Sequence, residues 1–487
     1  MARRLLLYAP RVRGLDLLIQ PWVLALAHAA AITLAVGHIV LHKRDVRAAV
    51  GWAVVVLVAP LLGAVSYWLF GVNRIRRRAA RIFPPTRTRS LPDGWDGPAP
   101  HHAFGCDGMT RLLDRLVPRQ LVGGNRVTAL IGGGALDEML ESIGSAEQSI
   151  TLATYIFDHD ETGLEFARAL REAQHRGVSV RVLVDAVGDR YSFPSMVAHL
   201  RKRGVPAAPF LRTRLPWRFP YFNLRNHRKI CVVDGRVAFT GGMNIRHGHR
   251  SDCADDPAAV ADVHFRVEGP VVTDIQSVFA EDWQFATGQR LEGDELWFPE
   301  IEPVGDVVVR AIADGPDHDM DRILWALLGA IACAERRLVI ATPYFLPDSG
   351  LDNALQVAAG RGVEVDLLLP ERSNLKLVHW ASRATWPWLM EGGCRIWLTP
   401  PPFDHTKLML MDDEWSFIGS ANWDPRSLRL NFELNLECHS RELNARFAEI
   451  LEAKRRQARP ATIAEEKALP LPRKLLHGSV RLLTPYL

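Results

Sequence analysis

The feature that most constrains this chain is a signature that occurs twice. Residues Asn226-His227-Arg228-Lys229-Ile230-Cys231-Val232-Val233-Asp234 read HxKxxxxD and are followed by Gly241, Gly242 and Asn244. His405-Thr406-Lys407-Leu408-Met409-Leu410-Met411-Asp412 repeat the pattern and are followed by Gly419, Ser420 and Asn422. Upstream of each copy, at Ser149 to Asp185 and at Arg337 to Pro370, an apolar strand leads through an amphipathic helix and an Arg-Gly turn into a second apolar strand. Glycine in the turns Arg176-Gly177 and Arg361-Gly362 suits a helix C-cap that feeds a strand. From that glycine to the histidine there are 50 residues in one copy and 43 in the other, so a seven-residue insertion leaves the signature intact. A long repeat decides the architecture. Strands separated by helices of this length predict βαβ units in a largely parallel sheet with helices on both faces.

The signature also predicts chemistry. Residues two apart on a strand share a face, so His227 and Lys229 should point together, as should His405 and Lys407. One HxK is weak, because a lone histidine on a strand is usually packed or on the surface. Two copies with matching followers make coincidence a poor explanation. Two lysines and two histidines meeting across a pseudo-twofold interface form a pocket for a phosphodiester, with ammonium charge and the amides of Asn244 and Asn422 stabilising a pentacoordinate oxyanion. One imidazole then attacks phosphorus, and the other protonates the leaving alkoxide and deprotonates the acceptor. Either imidazole can take either part. A neutral imidazole nucleophile carries its proton on the far nitrogen, so each histidine wants a carboxylate or carbonyl behind it. Glu433 is the expected orienter in the second copy and Asp262 in the first. Asp234 and Asp412 complete the candidate catalytic signature, and their spacing reads as capping a turn or pairing with a base at the strand's far end.

Two apolar segments near the N-terminus point to a membrane. Pro21 to Leu41 is 21 residues without a formal charge, and Ala48 to Val72 is another 25. A hydrocarbon core takes about 20 helical residues. Two transmembrane helices in a hairpin are therefore expected over 21–72, with His28, His38 and Pro60 as packing or kink residues. A cleaved signal peptide would have a shorter apolar region. Arg3, Arg4, Arg11 and Arg13 precede the first span, and Arg74, Arg76, Arg77, Arg78, Arg81, Arg87 and Arg89 follow the second, which places both flanks in the cytoplasm. Lys43, Arg44 and Arg47 in the connecting loop weaken that bias. The second run suits anionic headgroups or serves simply as a stop-transfer flank.

The rest of the chain is ordinary globular material. Of 487 residues, 48% are apolar and 23% charged, which excludes a disordered chain and a multi-span transporter. A formal charge of +4 is too small to mark a nucleic-acid partner. The six cysteines carry no CxxC pair and read as free thiols in a cytosolic setting. The expected organisation is a basic segment over 1–20, the spans over 21–72, a basic and Pro/Gly-rich linker over 73–125, repeated domains over 126–295 and 296–460, and a tail over 461–487. The stretch from His247 to Asp256 is rich in metal-ligand residue types but lacks fixed spacing, and reads as an exposed His/Asp loop. Arg214 to Phe222 interleaves aromatics with arginine and suits either an interfacial loop or a buried aromatic cluster.

These residues resemble the phospholipase D superfamily, and within it the bacterial cardiolipin synthases. The resemblance rests on the twin HxKxxxxD motifs, on RNHRKICVVDGRVAFTGGMN (Arg225 to Asn244), on TPYFLP (Thr342 to Pro347) and on GSANWDPRSLRLNFE (Gly419 to Glu433). The N-terminal hairpin ending in Phe70-Gly71 and the closing Leu482 to Leu487 look alike too, so the likeness spans nearly the whole chain. It implies two pseudo-twofold-related α/β/α sandwich domains behind a transmembrane hairpin in the bacterial inner membrane, with the domains on the cytoplasmic side. The implied activity converts two phosphatidylglycerol molecules to cardiolipin and glycerol through a phosphohistidine, with no metal, nucleotide or nucleic acid. His227 would be the nucleophile and His405 the acid/base, with Lys229, Lys407, Asn244, Asn422, Ser420 and Gly242 at the phosphate. Phosphatidylglycerol and other anionic membrane lipids are the implied partners. A phospholipase D hydrolase, in which water takes the phosphatidyl group, is the competing outcome.

Overall fold

Each half of the body is laid down around its Arg-Gly turn. Gly177 and Gly362 both sit at φ 96°, in the left-handed region that glycine occupies without strain. The arginine before each glycine reaches back to the end of an earlier helix, Gly134–Ser145 or Arg322–Cys333: Arg176 donates to the carbonyls of Ile143 and Ala146, and Arg361 to those of Ile331 and Ala334. Asp160 and Asp348 cap the helices Glu161–His175 and Ser349–Gly360 by accepting backbone N–H bonds. The repeat therefore builds one β-helix-β unit twice from the same local rules.

The computed structural model describes residues 20–43, 46–72, 107–211, 224–251, 256–291, 293–316 and 321–484. The basic N-terminal segment, the arginine run after the second span, the Pro/Gly-rich linker, the aromatic-arginine loop, most of the acidic end of the His247 to Asp256 stretch and the last three residues lie outside them. The N-terminal helices and the body form separate compact units.

In the body, the first half contributes β1 (Val122–Ile131), β2 (Ser149–Thr154), β3 (Ser179–Asp185), β4 (Ala207–Phe210), β5 (Arg225–Asn226), β6 (Ile230–Val233), β7 (Val237–Gly241), β8 (Val260–Ala261) and β9 (Val263–Glu268). The second contributes β10 (Val307–Asp314), β11 (Arg337–Ala341), β12 (Glu364–Pro370), β13 (Arg395–Thr399), β14 (Phe403–Asp404), β15 (Leu408–Met411), β16 (Trp415–Gly419), β17 (Asn431–His439) and β18 (Arg459–Pro460). The order β1-β9-β7-β6-β2-β3-β4 recurs as β10-β17-β16-β15-β11-β12-β13, with β18 added at the edge. Antiparallel pairing of β1 with β10 fuses the halves into one sheet.

The expectation of a largely parallel sheet holds only at its outer edges. β2, β3 and β4 run parallel, as do β11, β12 and β13. The central strands β6, β7, β9 and β1 are antiparallel, and so are their counterparts. The cause is a tight hairpin. Asp234 and Gly235 take φ 52° and 63° in the short turn between β6 and β7, and consecutive strands joined so closely can only pair antiparallel.

Helices cover both faces, as α/β layering requires. Val272–Thr287 and Arg441–Gln457 share a core with both halves, where Phe265 meets Phe447 and Phe210 meets Phe432. On the opposite face each half has its own core, built on Phe166, Leu170 and Leu200 in one and on Leu327, Leu351 and Trp386 in the other.

In the N-terminal unit, Pro21–His42 is a single helix of 22 residues, long and apolar enough to cross a membrane. The second apolar segment is broken into Val46–Val58, Pro60–Ser66 and a π turn at Tyr67–Gly71. Pro60 explains the break: it lacks an N–H, and its ring displaces the carbonyl four residues back. Ala35 and Ile39 pack with Val56, Ala64 and Tyr67.

Candidate active site

Each histidine follows a two-residue strand that leaves its own half and pairs with the other. β5 lies parallel to the start of β17, and the His227 N–H donates to the Phe432 carbonyl at 2.9 Å. β14 lies parallel to β8, and the His405 N–H donates to the Ala261 carbonyl at 2.7 Å. His227 and Lys229 therefore sit in the extended link between β5 and β6, and His405 and Lys407 between β14 and β15, rather than within a core strand. The exchange puts each imidazole one residue from a carboxylate of the opposite half.

Those carboxylates are Glu433 and Asp262, and the pairing crosses over from the sequence expectation. Glu433 accepts from His227 Nδ1 at 3.0 Å, and Asp262 accepts from His405 Nδ1 at 2.9 Å. Their sequence neighbourhoods suggested the reverse, because the strand exchange that decides the partner is a tertiary event. All four side chains are buried. With Nδ1–H held by a carboxylate, Nε2 keeps its lone pair.

The supporting shell differs between the halves in a compensating way. Behind Glu433, Ser420 Oγ donates at 2.5 Å and Asn431 Nδ2 at 3.1 Å. Behind Asp262 the equivalent position is Gly242, where a Cβ would lie 2.4 Å from Asp262 Oδ2. The shorter carboxylate leaves no room for a side chain. Ser420 and Gly242, expected at the phosphate, stand against the carboxylates Glu433 and Asp262, and the Gly242 backbone also meets His405. Asn244 accepts from the Ile156 N–H, and Asn422 donates to Ser427 while its Oδ1 is buried without a partner.

Electrostatics favour neutral imidazoles beside soft ammonium groups. Burial pushes His227 down to about 4 against the opposing pull of Glu433, and burial with Lys407 and Lys229 holds His405 well below the usual imidazole range. Burial lowers Lys229 to about 7 and Lys407 to about 8, with Glu433 and Asp262 resisting. Glu433 is raised by burial, but His227 and Lys229 more than offset this and keep it below its ordinary value. Lys229 Nζ donates to the His227 carbonyl at 2.7 Å, and Lys407 Nζ to the His405 carbonyl at 2.8 Å. The lysines, histidines and carboxylates of both halves thus act on one another in a single cluster.

Asp234 and Asp412 do not join this cluster. Asp234 accepts from the backbone N–H groups of Glu147, Gln148 and Ser149, and Asp412 from those of Glu335, Arg336 and Arg337. They tie the hairpin turn to the start of the neighbouring strand, as the spacing suggested.

Three aromatic groups were not singled out from the sequence. Tyr155 lies edge-on to His227 and beneath Lys229, and Tyr344 lies edge-on to His405. The repeated strings TYIF and TPYF carried that signal. His249 is buried, with its ring 5.6 Å from that of His405 and its Nδ1 3.8 Å from Asp262. The sequence places it in a His/Asp loop expected to be exposed, and only the fold turns it inward. His249, Asp262 and His405 each offer a ligand atom within 4.8 Å of the others. Lys407 Nζ stands 3.1 Å from the ring nitrogens of His405, and His249 Nδ1 is buried without a hydrogen bond, so this group of possible ligands lies directly beside a buried ammonium.

Comparison with known proteins agrees with this geometry. The profile described as cardiolipin synthase, phospholipase D-like domain matches residues 139–283 and 327–455, and one described as phospholipase D-nuclease N-terminal matches 30–71. The chain is 35% identical over 411 residues to a cardiolipin synthase of Geobacillus kaustophilus, covering 81% of this chain and 80% of that one. It is 32% identical to cardiolipin synthase A of Pseudomonas fluorescens strain Pf-5, covering 96% and 98%. Phosphatidylserine synthase of Haemophilus influenzae shares the fold, with a TM-score of 0.60 at 14% identity, covering 78% of this chain and all of that one. With both signatures matched across most of its length, the chain belongs to the cardiolipin synthase family of phospholipase D-like proteins.

Proposed function

We propose that this chain transfers a phosphatidyl group between two phosphatidylglycerol molecules, giving cardiolipin and glycerol. The observation that carries the reading is the pair of crossed imidazole–carboxylate contacts, His227 with Glu433 and His405 with Asp262, beside two buried lysines. The phosphodiester anion enters between Lys229 and Lys407, and its charge raises the proton affinity of the imidazoles it meets. His227 Nε2 attacks phosphorus and the bond to the glycerol headgroup breaks. His405 supplies the proton that the departing alkoxide takes up, and Glu433 steadies the charge left on His227. The hydroxyl of a second phosphatidylglycerol then loses its proton to His405 and attacks the phosphohistidine, releasing cardiolipin and free His227. Asn244 and Asn422 hold non-bridging oxygens in this scheme.

The chain's setting follows from the same reading. The apolar segments over 21–72 form a two-pass hairpin in the bacterial inner membrane, with the two repeated domains, 126–295 and 296–460, on the cytoplasmic side where the basic flanks favour them. Purified protein incubated with phosphatidylglycerol alone, and then with phosphatidylethanolamine added, tests the reaction and its donors by product mass. Cardiolipin from phosphatidylglycerol alone is the expected product; phosphatidic acid without cardiolipin would make the protein a hydrolase.

A further inference from the structure

One surface of the second domain has a composition that neither catalysis nor folding accounts for. The helix Leu471–Arg481 docks through Val480 and His477 onto the helix Lys376–Arg383, where Val480 meets Leu346 and Ala381 and the His477 ring stacks on Trp380. Its other side is bare leucine. Leu475 is 61% exposed and Leu482 74%, with Leu471, Leu476 and Leu483 exposed beside them. The partner helix adds Leu377 at 48%, and Trp388 follows at 49%. Single exposed leucines are ordinary, but a contiguous group on two packed helices is not.

Basic residues predominate along this face. Residues 372–390 carry Arg372, Lys376 and Arg383 and residues 470–484 carry Arg473, Lys474 and Arg481, with no aspartate or glutamate within either stretch, although Glu371 and Glu391 flank the first and Arg383 pairs with Glu466. Arg481 lies over the Trp388 ring at 4.7 Å, placing a guanidinium at the edge of the apolar area. A short helix with leucine on one side, basic residues at its rim and tryptophan at its border has the composition of an element lying in the interface of an anionic bilayer. Lipid phosphates meet this basic excess directly.

The face is linked to the active site through Tyr344. Tyr344, whose ring stands edge-on to His405, donates through its hydroxyl to Asn374 at 2.7 Å, two residues before the helix Lys376–Arg383. A small cavity lined by Tyr344, Ser373, Val378, His379 and Trp386 lies at the same junction. We propose that the paired helices Lys376–Arg383 and Leu471–Arg481 dock the second domain on an anionic lipid surface and set the path from bilayer to His405 over Tyr344. The proposal deepens the lipid-transfer reading by naming the surface through which substrate arrives.

The test uses the full chain and has an arm that does not depend on catalysis. Leu475→Cys, labelled with an environment-sensitive fluorophore, is reconstituted in phosphatidylglycerol vesicles with and without brominated acyl chains, with labelled wild type as background. Blue-shifted emission quenched by the brominated lipid is expected, and the same label at Arg446→Cys, on an exposed part of another helix, should show neither effect. Equal behaviour of the two sites would overturn the proposal, whether water or another part of the chain covers the face. In the second arm, Leu475→Glu with Leu482→Glu should slow cardiolipin formation on vesicles at least about tenfold, while changing turnover of dispersed short-chain phosphatidylglycerol less than about twofold. Equal losses on both forms would refute the docking role. A wild type that makes no cardiolipin from either form refutes the transfer reading instead, and leaves the quenching arm to decide the surface.

Discussion

Glu433→Gln isolates the charge behind the proposed nucleophile with little change of shape. Glu433 is fully buried, with both oxygens facing His227 Nδ1, at 3.0 Å for Oε1 and 3.1 Å for Oε2, while Oε1 also meets Asn431 Nδ2 and Oε2 meets Ser420 Oγ. A glutamine can keep its oxygen toward the two donors and turn its amide toward Ser420. The Ser420 hydroxyl then donates to the Leu434 carbonyl, which already stands 3.3 Å away. His227 keeps one acceptor in the glutamine oxygen, and what is lost is the negative charge with the second, 3.1 Å contact. Losing a charge-assisted bond to an imidazole that becomes cationic costs about 2–3 kcal/mol. At about 1.4 kcal/mol per tenfold, cardiolipin formation should fall roughly 30- to 150-fold. The assay is the initial rate from phosphatidylglycerol vesicles, read by mass, alongside the melting temperature. The pH profile supplies a second readout with a definite sign. His227 must be neutral to attack, so activity is lost as pH falls through its value of about 4. Glu433 raises that value, so removing its charge should move the acid limb to lower pH in an enzyme that is slower at its plateau. A folded variant slowed less than about threefold, with an unmoved acid limb, would refute the claim that this carboxylate stabilises His227 during transfer.

Three further outcomes follow from the same geometry. His227→Ala and His405→Ala should each abolish transfer, because neither imidazole can both attack phosphorus and manage the alkoxide's proton; a rate within about tenfold of wild type in either would remove the paired scheme. On the alkaline side, kcat/KM should decline as pH rises past about 7 and 8, where Lys229 and Lys407 lose the charge that attracts the phosphodiester. Lys229→Arg should remove the earlier of those declines, and an unchanged profile would mean that Lys229 does not titrate in the free enzyme. Asp234→Ala should lower stability by about 1–3 kcal/mol, since three backbone N–H groups lose their acceptor, while the folded fraction keeps its turnover. Lost turnover at an unchanged melting temperature would place Asp234 in the chemistry instead.

The sequence by itself determined the duplication, the αβ units and the identity of the reacting groups. Arg176-Gly177 and Arg361-Gly362 announce their turns because helix capping and a left-handed φ are local demands that few residues meet. The HxK pairs announce their chemistry because two copies of an unusual spacing outweigh the ordinary reasons for a buried histidine. What the tertiary structure alone decided was who stands next to whom. β5 and β14 cross to the opposite half, so Glu433 serves His227 and Asp262 serves His405, and no local pattern encodes a pairing made between residues 206 and 143 positions apart. The inward turn of His249 and the bare leucine face on Leu471–Arg481 have the same origin: each depends on which surfaces meet once the halves close, and burial is a property of the assembled chain.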